Sequence, residues 1–350
     1  MRLCRRAPTV TTAATVPRAR SQPHVARPQR IIYEDVRGNL KKTMRILLPF
    51  LILITIGCSN QKKDSGIETE TKSDFEKYDE LVWSGMLNFK DKDFQNSLSN
   101  FQDAFKIKSD ENVSDYFYAS ASALNLKMDE VAKDLIIKAI QKTNASENYF
   151  DNFDEFNQFR EKKLFSEIKA DYAKYKADFI KNLKNPEIYK EIELLAERDQ
   201  KVRTDGSSLE EMQKVDSLNI KRLIDINKKY GWFDKQGILL WHHRGIHKDD
   251  NYVWNYFRPL INEKIDKGEL RKSYWARFDD EKSMLRGKGV QVYGTYWSNY
   301  DQFPIDNINK VDSLRSSVGL PSLAYMAKVY NVVLPKDYVA KTAPNNAYKK

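Results

Sequence analysis

The strongest constraint on this 350-residue chain is a pattern that occurs twice. Gly85, Ser97, Phe101 and Ala104 form a small–small–large–small series, and Ser120, Ala132, Ile136 and Ala139 repeat it 35 residues later. Within each series the last three positions are spaced i, i+4, i+7, so they share one helix face. Small residues let two helices cross closely, and the large residue fills the space left beside the crossing. Asp91-Lys92-Asp93 lies where the first pair of helices must turn, and Asn125-Leu126-Lys127 does the same in the second, followed by Asp129 as the expected N-cap. A chain patterned this way stacks helical hairpins, because one hairpin cannot bury its apolar face alone.

The series resembles the tetratricopeptide repeat, stretched by one residue beyond its usual period of about 34. An unrelated antiparallel helical bundle is the alternative. Phe150, Phe153, Phe156 and Phe159 recur every third residue, then Leu164, Phe165 and Ile168 follow. They read as the core of a closing element, not as a cofactor site. A charged helix then runs to Asn185-Pro186, where Pro disfavours helical backbone at the residue before it. Residues 74–185 are thus expected to form repeat-like hairpins. Such hairpins usually present a concave face to a protein or peptide partner.

The N-terminal segments read differently. Residues 1–43 carry eight Arg and two Lys against Glu34 and Asp35, with no helical or strand period. They are expected to be an extension that never packs. Met44 opens a second pattern: Arg45, an apolar run from Ile46 to Ile56, then Gly57-Cys58. The run is too short to span a ~30 Å hydrocarbon core comfortably but suits a signal peptide. Residues 44–57 resemble a bacterial lipoprotein signal with Ile54-Thr55-Ile56-Gly57-Cys58 as its lipobox; a simple transmembrane anchor is the alternative. The resemblance implies Met44 as the start, acylation (palmitate among the chains) at Cys58, and residues 58–73 as a flexible tether. Ser59 stands where an Asp would imply inner-membrane retention, so the periplasmic face of the outer membrane is expected. The membrane, through Cys58, is then one partner.

This division changes the meaning of the charge. The full chain has 59 basic and 49 acidic residues, but 11 basic and 2 acidic ones precede Cys58, leaving +1 beyond it. A basic balance of that origin does not point to nucleic acid, and no nucleic-acid partner is expected. Two cysteines, one of them acylated, exclude a disulfide framework.

Residues 186–340 read as a second, mostly helical domain, with 341–350 as a flexible tail. Helices are predicted over 186–200, 209–230 with Gly231 as a left-handed cap, 238–241, 252–265 around Pro259, 270–285, 311–315 and 323–330. Val290-Gln291-Val292-Tyr293 is the one alternating β-branched stretch and predicts a short strand. The fold class is therefore mainly α, with tetratricopeptide-like hairpins followed by an α-helical domain that holds a small β element.

The motifs of this half are Arg198-Asp199-Gln200, Tyr230-Gly231-Trp232, His242-His243, Gln291-Val292-Tyr293-Gly294-Thr295, and Val311-Asp312-Ser313-Leu314-Arg315 followed by Val318-Gly319-Leu320. Their order and spacing over roughly residues 188–335 resemble the domain of unknown function 6624. That domain often follows tetratricopeptide-like repeats in lipoproteins of Bacteroidota-type bacteria. The resemblance implies no established activity. The chain departs from it at His242-His243, where Gln-His is usual, at Phe233, and near Asp279-Asp280.

Candidate sites follow from residue chemistry. His243 with Asp279 or Asp280 is the pair for a hydrolase, since imidazole titrates close to working pH. His243 and His247, four apart, with Asp249 or Asp250 would make a two-His, one-carboxylate metal set, but Gly245 interrupts the helix that set needs; no metal is expected. Arg198, Asp199, Gln200 and Arg203, with His242, Gln291 and Tyr293, form a candidate ligand-binding group, because guanidinium forks match carboxylate or phosphate. The alternative is an internal salt-bridge network. No Gly-rich phosphate loop and no Gly-x-Ser-x-Gly elbow is present, and no cofactor is expected. The leading functional expectation is a lipid-anchored periplasmic binding or scaffolding protein, and the hydrolase is the alternative.

Overall fold

The computed structural model describes residues 72–233 and 236–340. The extension, the signal segment, Cys58 and the tail at 341–350 lie outside the described residues. The described chain is mainly helical. Helices α1 (Asp74–Lys90), α2 (Phe94–Ile107), α3 (Val113–Asn125) and α4 (Asp129–Thr143) form two hairpins in sequence. Ser73 starts α1 with a capping box: its hydroxyl accepts from the Glu76 N–H while the Glu76 carboxylate accepts from the Ser73 N–H at 2.8 Å.

The eight repeated positions pack as their sizes require. Gly85, Ser97, Phe101, Ala104, Ser120, Ala132, Ile136 and Ala139 are all buried. A Cβ on Gly85 would meet the Phe101 ring at 3.1 Å, so glycine lets that ring cross α1 without being pushed aside. Ser97 Oγ donates to the Gly85 carbonyl at 2.9 Å and lies 2.9 Å from Ser122 Oγ, tying α1, α2 and α3 together. One detail differs from expectation. Met128, not Asp129, occupies the N-cap of α4, without a side-chain hydrogen bond. Asp129 is the first helical residue, and its carboxylate takes Lys162 Nζ at 2.7 Å.

Beyond α4, short helices α5 (Glu147–Asp151), α6 (Lys163–Ala170) and α7 (Tyr172–Lys181) flank a 3-10 turn at Asp154–Phe159. Phe150, Phe153, Phe156 and Phe165 are buried there. The Arg160 guanidinium lies 5.1–5.4 Å from the ring centres of Phe150, Phe156 and Phe165 and donates to the Phe150 carbonyl at 2.7 Å.

Helices α8 (Pro186–Thr204) and α9 (Leu209–Tyr230) form a long hairpin. With α10 (Gly237–Trp241), α11 (Trp254–Asp266) and α12 (Ala276–Arg286) they enclose a second core around Ile192, Leu223, Leu240, Trp254, Phe257 and Phe278. Gly231 ends α9 at φ 81 and ψ −162, a positive φ but not the left-handed helical cap expected. The expected strand reduces to one parallel bridge between Gln291 and Ile305. Its physical cause lies in Asp280, whose carboxylate takes the Val292 and Tyr293 N–H groups at 2.6 and 2.9 Å, away from any neighbouring strand.

The chain then returns to its beginning. Helix α13 (Val311–Ser317) leads to α14 (Leu323–Tyr330), which packs on α1. Tyr325, Met326, Val329 and Val332 belong to the same apolar core as the two hairpins. Charges reinforce the seam. Arg271, between α11 and α12, donates to Asp79 at 2.8 Å and to Glu111 at 3.1 Å while lying over the Phe75 ring. Lys272 meets Glu76 at 3.0 Å, and Lys328 meets Asp91 at 2.7 Å. No described helix is long and apolar enough to cross a membrane.

Candidate functional site

Asp199 is the hub of the first polar group. It sits on α8 and is 1% exposed. His242 Nδ1 lies 2.8 Å from its Oδ1, Arg203 Nη1 lies 3.1 Å from the same atom, and Gln200 Nε2 donates to Oδ2 at 2.7 Å. Arg203 then reaches across to α9, donating to both oxygens of Asp216 at 2.7 and 2.8 Å. Burial pushes the Asp216 carboxyl above its ordinary range, and the Arg203 contact works against that shift. Asp199, Gln200, Arg203 and His242 are thus brought together. Arg198 is exposed on another face of α8 and takes no part. Asp216 belongs to the group and was missed, because nothing in the sequence of α9 sets it apart from the other surface acids.

The second polar group is centred on His247. It is 1% exposed, and rings of Trp254, Trp275 and Phe278 surround it at 5.4–5.8 Å. Its Nδ1 faces the Arg244 carbonyl and its Nε2 faces Asp279 Oδ1, each at 2.9 Å. Burial raises the Asp279 carboxyl, but hydrogen bonds from His247 and from Lys248, 2.8 Å away, outweigh it and hold the group below its ordinary value. Burial also lowers the His243 imidazole to about 4, so at neutral pH the ring is uncharged. Asp249 turns to Lys282 and Arg286. His247 and Asp249 are thus held by different partners, and among the described residues the two-His set does not gather its ligand atoms.

Asp280 is fully buried and serves the backbone. Besides Val292 and Tyr293 it accepts from the N–H and the hydroxyl of Thr295, both at 2.8 Å. Burial raises its carboxyl despite these four donors. Gln291 is a second anchor. Its amide donates to the Phe303 carbonyl at 2.8 Å and accepts from the Tyr296 N–H at 2.8 Å. Arg315, 3% exposed, donates to the Pro321 carbonyl at 2.6 Å and the Tyr293 carbonyl at 2.7 Å. The carboxylates assigned to His243 are thus engaged by other groups, Asp279 by His247 and Lys248, Asp280 by a loop. Gln291 and Tyr293 belong to that loop, apart from the Asp199 group.

A cavity lies elsewhere, at the seam between α1 and the returning chain. It measures ≈360 Å³, and its walls include Phe75, Glu76, Trp83, Arg271, Asp312 and Leu320. A smaller one of ≈140 Å³ shares Trp83 and Leu320 and continues along Trp297, Arg315, Tyr325 and Tyr330. One end is therefore charged and the other aromatic. Burial raises the Glu76 carboxyl, but donors on Ser73 and Lys272 prevail and keep it ionised. Asp312, also at this wall, accepts from the Leu323 N–H at 2.8 Å and from the Tyr338 hydroxyl at 2.6 Å. Sequence reading missed this cleft because its walls come from residues about 240 positions apart.

Comparison with protein families, curated proteins and solved structures finds no match for the chain.

Proposed function

We propose that this protein is a lipid-anchored binding protein of the periplasmic face of the outer membrane, holding an extended segment of a partner polypeptide in the seam cleft. The observation that carries the reading is the position and lining of that cleft. Paired charges at one end offer donors and acceptors to a peptide backbone, and Trp83, Trp297 and Tyr330 offer faces to its side chains. Lys72 lies on the cleft wall, 14 residues after Cys58. At ~3.5 Å per residue the anchor could stand no more than about 50 Å away. The repeat hairpins build one wall, and the half resembling the domain of unknown function 6624 builds the other. The hydrolase alternative has weaker support, because Asp279 and Asp280 are held by other groups.

A photo-crosslinker at exposed Ser316, on the cleft wall, tests the reading in native membranes. A polypeptide adduct is expected, reduced several-fold by Trp83→Ala or Tyr330→Ala. An adduct that neither substitution affects, or none at all, overturns the assignment. Cys58→Ser is expected to release the protein from the membrane fraction, and retention there would overturn the anchor.

A further inference from the structure

We propose that Asp199, Asp216 and His242 form a cradle for one divalent transition-metal ion of the Zn²⁺ type, and that Arg203 is the cation occupying that cradle when the ion is absent. Each of the three residues offers one ligand atom, and the three atoms lie within 4.8 Å of one another. They come from α8, α9 and the end of α10, so the cradle is carried by three packed elements and not by a mobile loop. Two carboxylates and an imidazole are a donor set suited to such ions, with room for water as a fourth ligand. Gln200 donates to the Asp199 oxygen that does not face His242, the kind of outer contact that fixes a ligating carboxylate.

Charge explains the competition. With a neutral imidazole the two carboxylates carry −2, and Arg203 leaves −1. A divalent ion in its place brings the sum to zero. Arg203 is not sealed in: its side chain is 20% exposed, against 1% for Asp199, so the guanidinium has a route to water. One turn along each helix, Asn219 donates to the Leu195 carbonyl at 3.1 Å, while its buried Oδ1 has no hydrogen-bond partner. This leaves an unspent oxygen acceptor in the layer next to the cradle.

The test is a Zn²⁺ titration of the metal-stripped full chain by calorimetry, paired with thermal melting. Wild type is expected to bind about one equivalent at the cradle. His242→Ala and Asp216→Asn remove direct ligands and are expected to weaken that binding by at least the ~10-fold that loss of an outer contact costs. Arg203→Gln separates the two readings. If a metal and Arg203 compete, this variant binds Zn²⁺ about tenfold tighter than wild type, and Zn²⁺ restores its melting temperature. A purely internal salt bridge predicts that Arg203→Gln melts lower and that Zn²⁺ restores nothing. That outcome overturns the proposal, as does Zn²⁺ binding that His242→Ala leaves unchanged. Should Asp216→Asn fail to fold, His242→Gln supplies the same comparison.

Discussion

The two hairpins of residues 74–143 and the loop segment of residues 287–322 hold their backbones by opposite means. In the hairpins the turns repeat as faithfully as the side chains. Asp91, Lys92 and Asp93 donate to Leu87, Phe89 and Asn88, and 35 residues later Leu126, Lys127 and Met128 donate to Ser122, Leu124 and Ala123. Lys92 and Lys127 share φ values of 62 and 61. The loop segment has almost no such pattern. Beside scattered backbone hydrogen bonds, several of its backbone groups are satisfied by three buried polar side chains, Asp280 from α12 and Gln291 and Arg315 from the segment itself. Periodic packing spreads stability over many interchangeable contacts. Polar anchoring concentrates it in a few groups that nothing nearby can replace.

The sharpest way to break that contrast is Asp280→Ala. It strands three backbone N–H groups and one hydroxyl in the interior. At about 1–3 kcal/mol for each unsatisfied group, partly relieved by entering water, the loss should be on the order of 5 kcal/mol. Urea unfolding followed by Trp fluorescence measures it. A loss below about 1 kcal/mol would show that the loop is held by something else. Gly294, inside the loop, leaves little room for adjustment: at φ 64, a Cβ would stand 2.7 Å from Ile305.

The next effect tests whether the repeat half is as purely apolar as its pattern. It contains one buried acid, Asp115, which accepts from the Tyr78 hydroxyl at 2.7 Å close to the Arg271 seam. Burial raises its carboxyl from 3.8 to about 7, against the lowering effects of Tyr78 and Arg271. The folded state therefore holds this proton more tightly than the unfolded chain. The associated stability is complete below about pH 4 and is lost as pH rises towards 7. The swing is on the order of 4 kcal/mol at 1.36 kcal/mol per unit. Asp115→Asn should flatten that part of the stability–pH curve and exceed wild type above pH 7. A curve with an unchanged slope would remove Asp115 as its source.

The contrast also explains what could be read from sequence. Phe101 and Ile136 were legible because their role depends on neighbours at fixed helical offsets. The bounds of α9 and α14 were legible from periodicity and their flanking residues. Asp280 and Gln291 stood out as motif residues, but their task did not, since it depends on which donors a distant loop brings. His242 and His243 look alike in sequence, and only the crossing of α8 gives Asp199 to the first. The small strand failed for the same reason: alternation at 290–293 was real, but the Asp280 carboxylate claimed the amides a ladder would need.

Gly85→Ala probes the repeat itself at smaller cost. The added methyl meets a buried ring at 3.1 Å, so overpacking of about 1–3 kcal/mol is set against a helix-propensity gain of about 1. A net loss of about 0–2 kcal/mol is expected from chemical denaturation. The second unit carries Ser120 opposite Ile136 and tolerates its Cβ. Adding Phe101→Leu to Gly85→Ala should therefore make the alanine close to neutral. Equal losses from the alanine in both backgrounds would mean that the ring is not what excludes it.

The smallest effect reverses sign with position. Lys92 and Lys127 are exposed and left-handed, a conformation that costs a β-carbon-bearing residue roughly 1 kcal/mol and glycine almost nothing. Lys92→Gly and Lys127→Gly should each stabilise the protein by about 0.5–1 kcal/mol. Lys106, exposed within α2, is the control: there the same substitution should destabilise by about 1 kcal/mol. Because the two turns share their hydrogen bonds at an offset of 35, the two gains should match each other within error. The double variant should show their sum, since the two turns bond to different backbone partners. Unequal gains would mean that the hairpins agree in geometry but not in energetics, and that the repeat is a likeness of shape alone.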